Sequence, residues 1–190
     1  GLSTYWYESG IIKSNINYID NQEDGVCEYY LENGLLEKRT TFVKKRYNHS
    51  DIIKEELYTY HNNQNLSKKV IQDFSDRNNK IRSEISYFEN GKVLSKKNFL
   101  NDNVSGKHID FNQDGSIAKV NYYKPTLDYY GRSSGKYKTI PFLEAVESGL
   151  WELEEDEKYG YQIMLNEIAK QKEIAEEKAK QEKLRKKLEI

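Results

Sequence analysis

Tyr29-Tyr-Leu-Glu-Asn-Gly34 and Tyr87-Phe-Glu-Asn-Gly91 each run an aromatic pair into an Asn-Gly turn. Three further segments share the aromatic start and the turn finish: Tyr5-Trp-Tyr-Glu-Ser-Gly10, Tyr58-Thr-Tyr-His-Asn-Asn63 and Phe111-Asn-Gln-Asp-Gly115. The turn positions 10, 34, 63, 91 and 115 lie 24, 29, 28 and 24 residues apart, a loose period of one supersecondary unit. Alternation of period two flanks the turns, as in Ile12, Ile16 and Tyr18 against Lys13, Asn15 and Asn17, or Ala118, Val120 and Tyr122 against Lys119 and Asn121. Asn33-Gly34, Asn90-Gly91 and Asp114-Gly115 supply positive φ at little cost, and Asn63 is the next best residue for that conformation. Each unit therefore reads as a hairpin with a tight turn of primed geometry.

Working outward, polar second turns are expected at 20–25, 47–51, 76–79 and 101–106. The predicted fold is mainly β: an open, single-layer antiparallel meander of about five hairpins over residues 1–124. A linker loop is expected over 125–138, containing Tyr129-Tyr-Gly-Arg-Ser-Ser-Gly135, and helices over 139–190. Thr139 is positioned to cap a first helix with Pro141 in its first turn, Phe142, Leu143 and Val146 inward and Ser148-Gly149 at its end. From Glu152 to Ile190 strong helix formers dominate, with Gly160 the only glycine and no proline. Tyr161, Met164, Leu165 and Ile168 fall at helical spacing and suit docking, whereas the rest of the helix is charged and lacks a sustained heptad.

The bulk numbers agree with a thin architecture. The 190 residues carry 16 Tyr and are 36% hydrophobic and 32% charged, so apolar area comes largely from amphipathic rings half facing water. Against 30 Lys plus Arg stand 31 Asp plus Glu, and this balance draws the chain toward neither nucleic acid nor anionic lipid. The basic clusters Lys44-Lys45-Arg46, Lys68-Lys69 and Lys96-Lys97 are short and offset by nearby acids, so no nucleic-acid partner is expected. Lys178 to Lys187 has a local excess of five positive charges without bulky apolar residues opposite, which allows weak anionic lipid association at most.

Cys27 has no disulfide partner, and with His49, His61 and His108 it forms no zinc-ligand spacing, so no metal and no cofactor are expected. Gly131 to Lys136 superficially resembles a phosphate loop but is one residue short and has no Ser or Thr after the lysine. The histidines sit on separate hairpins without a nucleophile or acid beside them, and no catalytic residue is assigned; the chain reads as a non-enzyme. No apolar run approaches membrane-spanning length. The start at Gly1-Leu2-Ser3 rather than Met points to a trimmed N-terminus, leaving a cytoplasmic and an exported location both open.

The pattern Tyr87 to Lys92, echoed at Tyr29 to Gly34 and Trp6 to Gly10, resembles the MORN-variant repeat of bacterial proteins, many of which are YwqK-like antitoxins. The likeness spans about residues 5–123; residues 47–57 and 75–84 depart from it. It implies a protein-binding repeat module, in its sharpest form an antitoxin or immunity-type inhibitor of a toxin. The alternative it implies is an exported structural or envelope-associated protein assembled through the C-terminal helix, as a homo-oligomer. A tyrosine-lined sheet suits protein binding, since Tyr buries large area at low entropy cost. The tyrosine ladder also reads as the cross-strand core of a sheet that has no second layer. The candidate partner-binding residues are Tyr7, Tyr30, Tyr60, Tyr87 and Tyr122 on the sheet, and Tyr161, Met164, Leu165 and Ile168 on the helix.

Overall fold

The computed structural model describes residues 1–45, 49–127 and 133–188. Twelve strands come first: β1 (Leu2–Trp6), β2 (Ile12–Ile19), β3 (Gln22–Glu23), β4 (Gly25–Tyr30), β5 (Leu36–Lys45) and β6 (His49–Tyr60), then β7 (Leu66–Asp73), β8 (Ile81–Tyr87), β9 (Val93–Leu100), β10 (Asn103–Phe111), β11 (Ile117–Leu127) and β12 (Ser133–Ile140). Two helices follow, α1 (Phe142–Glu147) and α2 (Glu155–Leu188). The strands form one open antiparallel sheet in chain order from β1 to β12, with β3 set off the path as a partner of β2. The expected meander with a C-terminal helix is thus the observed fold.

The five hairpin loops are built alike. In each, the first loop residue donates its amide to the carbonyl four residues on, and the fourth donates back to the first: Tyr7 and Ile11, Leu31 and Leu35, His61 and Asn65, Phe88 and Lys92, Asn112 and Ser116. Only the fourth residue has positive φ, namely Gly10, Gly34, Gln64, Gly91 and Gly115. A register shift follows beside every loop, where Trp6, Tyr30, Tyr60, Tyr87 and Phe111 pair with Ile12, Leu36, Leu66, Val93 and Ile117. One left-handed residue followed by a bulge is the three-residue hairpin built on a type I turn. The primed geometry expected at these sites is therefore corrected.

The reason lies in the residue before the glycine. Asn33, Asn90 and Asp114 accept the amide two residues on at 3.1, 3.0 and 2.8 Å, which fixes them as turn-forming side chains. Asn63 does the same to Asn65 at 3.0 Å, so Gln64, and not Asn63, takes the left-handed position, with φ of 66°. Primed two-residue turns occur instead at the opposite end of the sheet, where Asp20-Asn21 and Asn101-Asp102 have two successive positive φ values between the pairs Ile19·Gln22 and Leu100·Asn103.

Two further expectations change. Residues 125–127 and 133–138, read as linker, are strand: β11 continues through Pro125 to Leu127 and pairs with β12. The turn expected at 47–51 and the loop at 129–135 lie partly outside the described residues, although Ser50 and Asp51 belong to β6 and Ser133 to Gly135 to β12. Thr139 is in β12 rather than capping a helix; α1 begins after Pro141 with no side-chain cap and ends at Ser148-Gly149 as expected. The long helix starts at Glu155, a turn later than Glu152.

The main apolar core is small and lies at the C-terminal end of the sheet. Ile109, Phe111, Ile140, Phe142, Ala145 and Trp151 are buried together, with Val120, Tyr122, Tyr161 and Met164 packed around them. Phe142 packs edge-to-face on Trp151 and on Tyr161, at centroid distances of 4.5 and 5.6 Å. From Ala169 to Lys183 every residue of α2 is exposed.

Candidate binding face

The shared loop geometry aligns the hairpins position by position, and alternation then assigns faces. On the face that α1 and α2 pack against, the last residue before each loop is aromatic and its partner is aliphatic: Trp6·Ile12, Tyr30·Leu36, Tyr60·Leu66, Tyr87·Val93 and Phe111·Ile117. These five pairs form a belt across the loop end of the sheet. Such pairs supply the cross-strand packing that a single layer otherwise lacks.

The next cross-strand pair inward grades in polarity along the sheet. It reads Thr4·Asn15, Glu28·Arg39, Tyr58·Lys69, Ile85·Lys96 and Ile109·Val120. At the polar end the sheet neutralises itself. Arg39 bridges Glu28 at 2.7 Å and Glu56 at 3.8 Å, while Lys54 and Lys69 reach Glu56 at 2.8 and 3.0 Å. Tyr30 and Tyr58 donate their hydroxyls to Glu28 and Glu56. Burial opposes ionisation of Glu56, but the hydrogen bonds from Lys54, Tyr58 and Lys69 prevail and hold its carboxyl down to about 2. Burial pushes the Tyr58 phenol up to about 12, with the Glu56 hydrogen bond acting in the same sense.

At the apolar end the carboxylates come from the tail. Lys96 meets Glu154 at 2.6 Å and Glu157 at 3.8 Å, and Lys107 meets the same two residues at 3.6 and 3.2 Å. Glu157 is fully buried and accepts from Trp151 Nε1 at 3.0 Å and from the Glu154 amide at 3.1 Å. That last bond is half of a capping box, the third helical residue reaching back to the residue before the helix. Glu157 therefore caps α2, anchors Trp151 and neutralises the sheet lysines at once. Its in-sheet counterpart is Glu56, likewise buried under lysines and an aromatic donor. Gly160 completes the docking: a Cβ there would stand 2.8 Å from Ile117 Cγ1 and 3.1 Å from the Gly115 carbonyl.

The candidate residues read from the sequence divide accordingly. Tyr30, Tyr60 and Tyr87 lie in the belt, and Tyr7 opens the first loop. Tyr7 and Tyr60 also tie hairpins together, donating to the carbonyls of Tyr30 at 2.6 Å and Leu36 at 2.7 Å. Tyr122, Tyr161 and Met164 pack around the core, and Leu165 and Ile168 are half-buried on α2. Leu36, Leu66, Val93 and Ile117 of the belt, Trp151, Glu157 and Lys107 were not singled out from the sequence, and Lys96 was read only as part of a basic cluster offset by nearby acids. The glutamate three residues after Glu154, in the first turn of the long helix, was the signal available.

Where the belt is uncovered, a groove of about 460 Å³ opens between the second and third loops, lined by Leu31, Leu35, Glu37, Tyr58, Tyr60 and Gln64. Trp6 is 61% exposed. The opposite face carries His108, edge-on to Phe99 and Tyr123, with Nε2 at 2.7 Å from the Asn98 carbonyl and its pKa lowered chiefly by burial. His61 sits in the third loop with Nε2 at 2.9 Å from the Tyr87 carbonyl, so the two histidines are not brought into one site. Lys68, Lys69, Lys96 and Lys97 each pair with a carboxylate, of Glu84, Glu56, Glu154 and Asp110 respectively. Among the described residues no cluster of His, Cys, Asp and Glu could hold a metal ion, and no helix is long and apolar enough to cross a membrane. Compared with known protein families and with curated proteins, the chain matches no family model and no curated protein.

Proposed function

We propose that the protein is a binding module that engages a protein partner through the open part of the belt, on the first three hairpins. One observation carries this reading: a single aromatic and aliphatic belt is covered by the chain's own helices at its last hairpins and left open, with a groove, at the others. Half-exposed tyrosines beside Leu31 and Leu35, rimmed by Glu37 and Gln64, have the aromatic core and polar rim of protein interfaces. The resemblance to MORN-variant repeats gives this module its specific form, an antitoxin or immunity-type inhibitor.

The test compares the full chain with the double variant Leu35→Ser, Tyr60→Ser as baits in extracts of the producing cells, with circular dichroism showing both folded. A protein bound by the first and released by the second supports the reading. Identical bound proteins, or none, would sink it.

A second reading as a structural spacer is favoured by α2 alone. Its fifteen exposed residues from Ala169 to Lys183 extend about 22 Å at the helical rise. Attachment of this rod to a surface or a second chain is the exported structural role.

A further inference from the structure

The face opposite the belt carries a separate cavity, shaped by an irregular stretch of β10. Between the pairs Phe99·Val104 and Lys97·His108, β10 spends residues 105–107 where β9 spends only Asn98. Gly106, with φ of 62°, lies in this bulge opposite Tyr123. Its missing side chain leaves room between Phe99 and Tyr123, and the His108 ring leans in edge-on, at centroid distances of 5.3 and 4.8 Å. The next two rows of the sheet are polar, Lys97·His108·Asn121 and Ser95·Asp110·Lys119. Aromatic wall and polar rows line a cavity of about 270 Å³. Pockets for drug-sized ligands run from roughly 300 to 1,000 Å³, so this one holds a single small ring.

The polar groups of the cavity have a defined hydrogen-bonding sense. The Asn98 carbonyl, 2.7 Å from His108 Nε2, only accepts, so Nε2 carries the hydrogen and Nδ1 keeps a bare lone pair. Burial lowers the His108 pKa from its ordinary 6.5, which leaves the ring neutral at pH 7 and Nδ1 an acceptor. Asp110 bridges Lys97 at 3.2 Å and is partly exposed, with capacity for a further donor. Lys119 stands directly opposite Asp110 in the register. Among the described residues, neither the Lys119 ammonium nor the half-buried Asn121 amide has a side-chain partner. Donors and acceptors therefore alternate beside aromatic rings. An anion would meet the Asp110 carboxylate between the two lysines, and an apolar molecule would leave Asn121 and Lys119 unpaired. A sugar ring satisfies both, because each of its hydroxyls donates and accepts while its C–H edge lies against the rings.

We infer that this cavity binds a single pyranose sugar, whose hydroxyls donate to Asp110 and His108 Nδ1 and accept from Lys119 and Asn121, with its C–H edge on the wall of Phe99 and Tyr123. The site goes beyond the protein-binding reading, since it lies on the other face of the sheet and shares no residue with the groove at Tyr60. A single ring held by a few hydrogen bonds binds with a dissociation constant in the millimolar range.

Titration of the full chain with the methyl pyranosides of glucose, galactose, mannose and N-acetylglucosamine tests this, read from the NMR signals of the His108 and Tyr123 rings, with inorganic phosphate as the anionic probe. At least one pyranoside should give a saturable shift, and phosphate none. Asp110→Asn and Asn121→Ala each remove a hydrogen-bonding partner and should raise the dissociation constant of that sugar at least about tenfold. Should either variant unfold, Lys119→Ala gives the same readout at an exposed side chain. Absence of a saturable shift with all four sugars overturns the proposal. So does a variant that binds the sugar as well as wild type. Phosphate binding that strengthens in Asp110→Asn also overturns it, because the cavity would then be an anion site.

Discussion

Replacing Glu157 should undock the tail while leaving the sheet intact. Its carboxylate is fully buried and accepts from Trp151 Nε1, the Glu154 amide and Lys107, with Lys96 3.8 Å away. Glu157→Ala strands two lysines and an indole donor, and breaking a buried pair costs about 3–5 kcal/mol. The low end applies, since the Lys96 and Lys107 side chains keep 13% and 18% exposure and still have Glu154. Glu157→Gln preserves shape and one acceptor oxygen, so its cost is about 1–3 kcal/mol. With only two tryptophans in the chain, a Trp6→Phe background leaves Trp151 as the sole reporter of docking. At a urea slope of about 2 kcal/mol per molar, the Trp151 transition should move down by about 0.5–1.5 M for Gln and more for Ala. An unchanged midpoint in Glu157→Ala would refute the assignment of this residue as the anchor of α2.

Other perturbations follow the same logic. Because the folded-state pKa of Glu56 is depressed to about 2 from 4.5, its contribution is complete above pH 4.5 and is lost as pH falls toward 2; Glu56→Gln should flatten the pH dependence of stability in that window, read from urea midpoints of wild type and variant. Gly160→Ala raises helix propensity by about 1 kcal/mol but drives a Cβ into Ile117 and the Gly115 carbonyl, so the Trp151 transition should weaken by about 1–3 kcal/mol. Gln64→Gly relieves the one non-glycine residue at the left-handed loop position and should stabilise the chain by about 1 kcal/mol, visible as a rise in Tm of several degrees.

Much of the architecture was legible because turn chemistry and alternation act locally. Each aromatic-to-turn segment became a hairpin, including the one at Asn63 that has no glycine. Its loop closes because Asn63 satisfies the turn and the extended chain tolerates Gln64 at positive φ. The turn type was misread because Asn-Gly and Asp-Gly serve both a primed turn and a type I turn with a bulge, and the flanking register decides between them. The strand from Ser133 to Ile140 was hidden by its Gly and Ser content, which signals loop unless a neighbouring strand such as β11 offers its edge.

The site was legible only in half. Tyr30, Tyr60 and Tyr87 stood out as aromatic positions, but their aliphatic partners emerge only once the bulge shifts the register beside each loop. The place where α2 docks depends on the polarity gradient from Thr4·Asn15 to Ile109·Val120, a property of aligned strands and not of any one segment. Glu56 and Glu157, 101 residues apart in sequence, take equivalent roles because each is delivered to a lysine pair from a different element.

Hydroxyl-radical footprinting of the two tryptophans and the belt tyrosines in the free chain tests most directly whether one belt is closed at its last hairpins and open at its first. The account predicts rapid oxidation of Trp6, intermediate rates at Tyr30 and Tyr60, and protection of Trp151 until the chain unfolds. Oxidation of Trp151 in the folded protein as fast as Trp6 would contradict it.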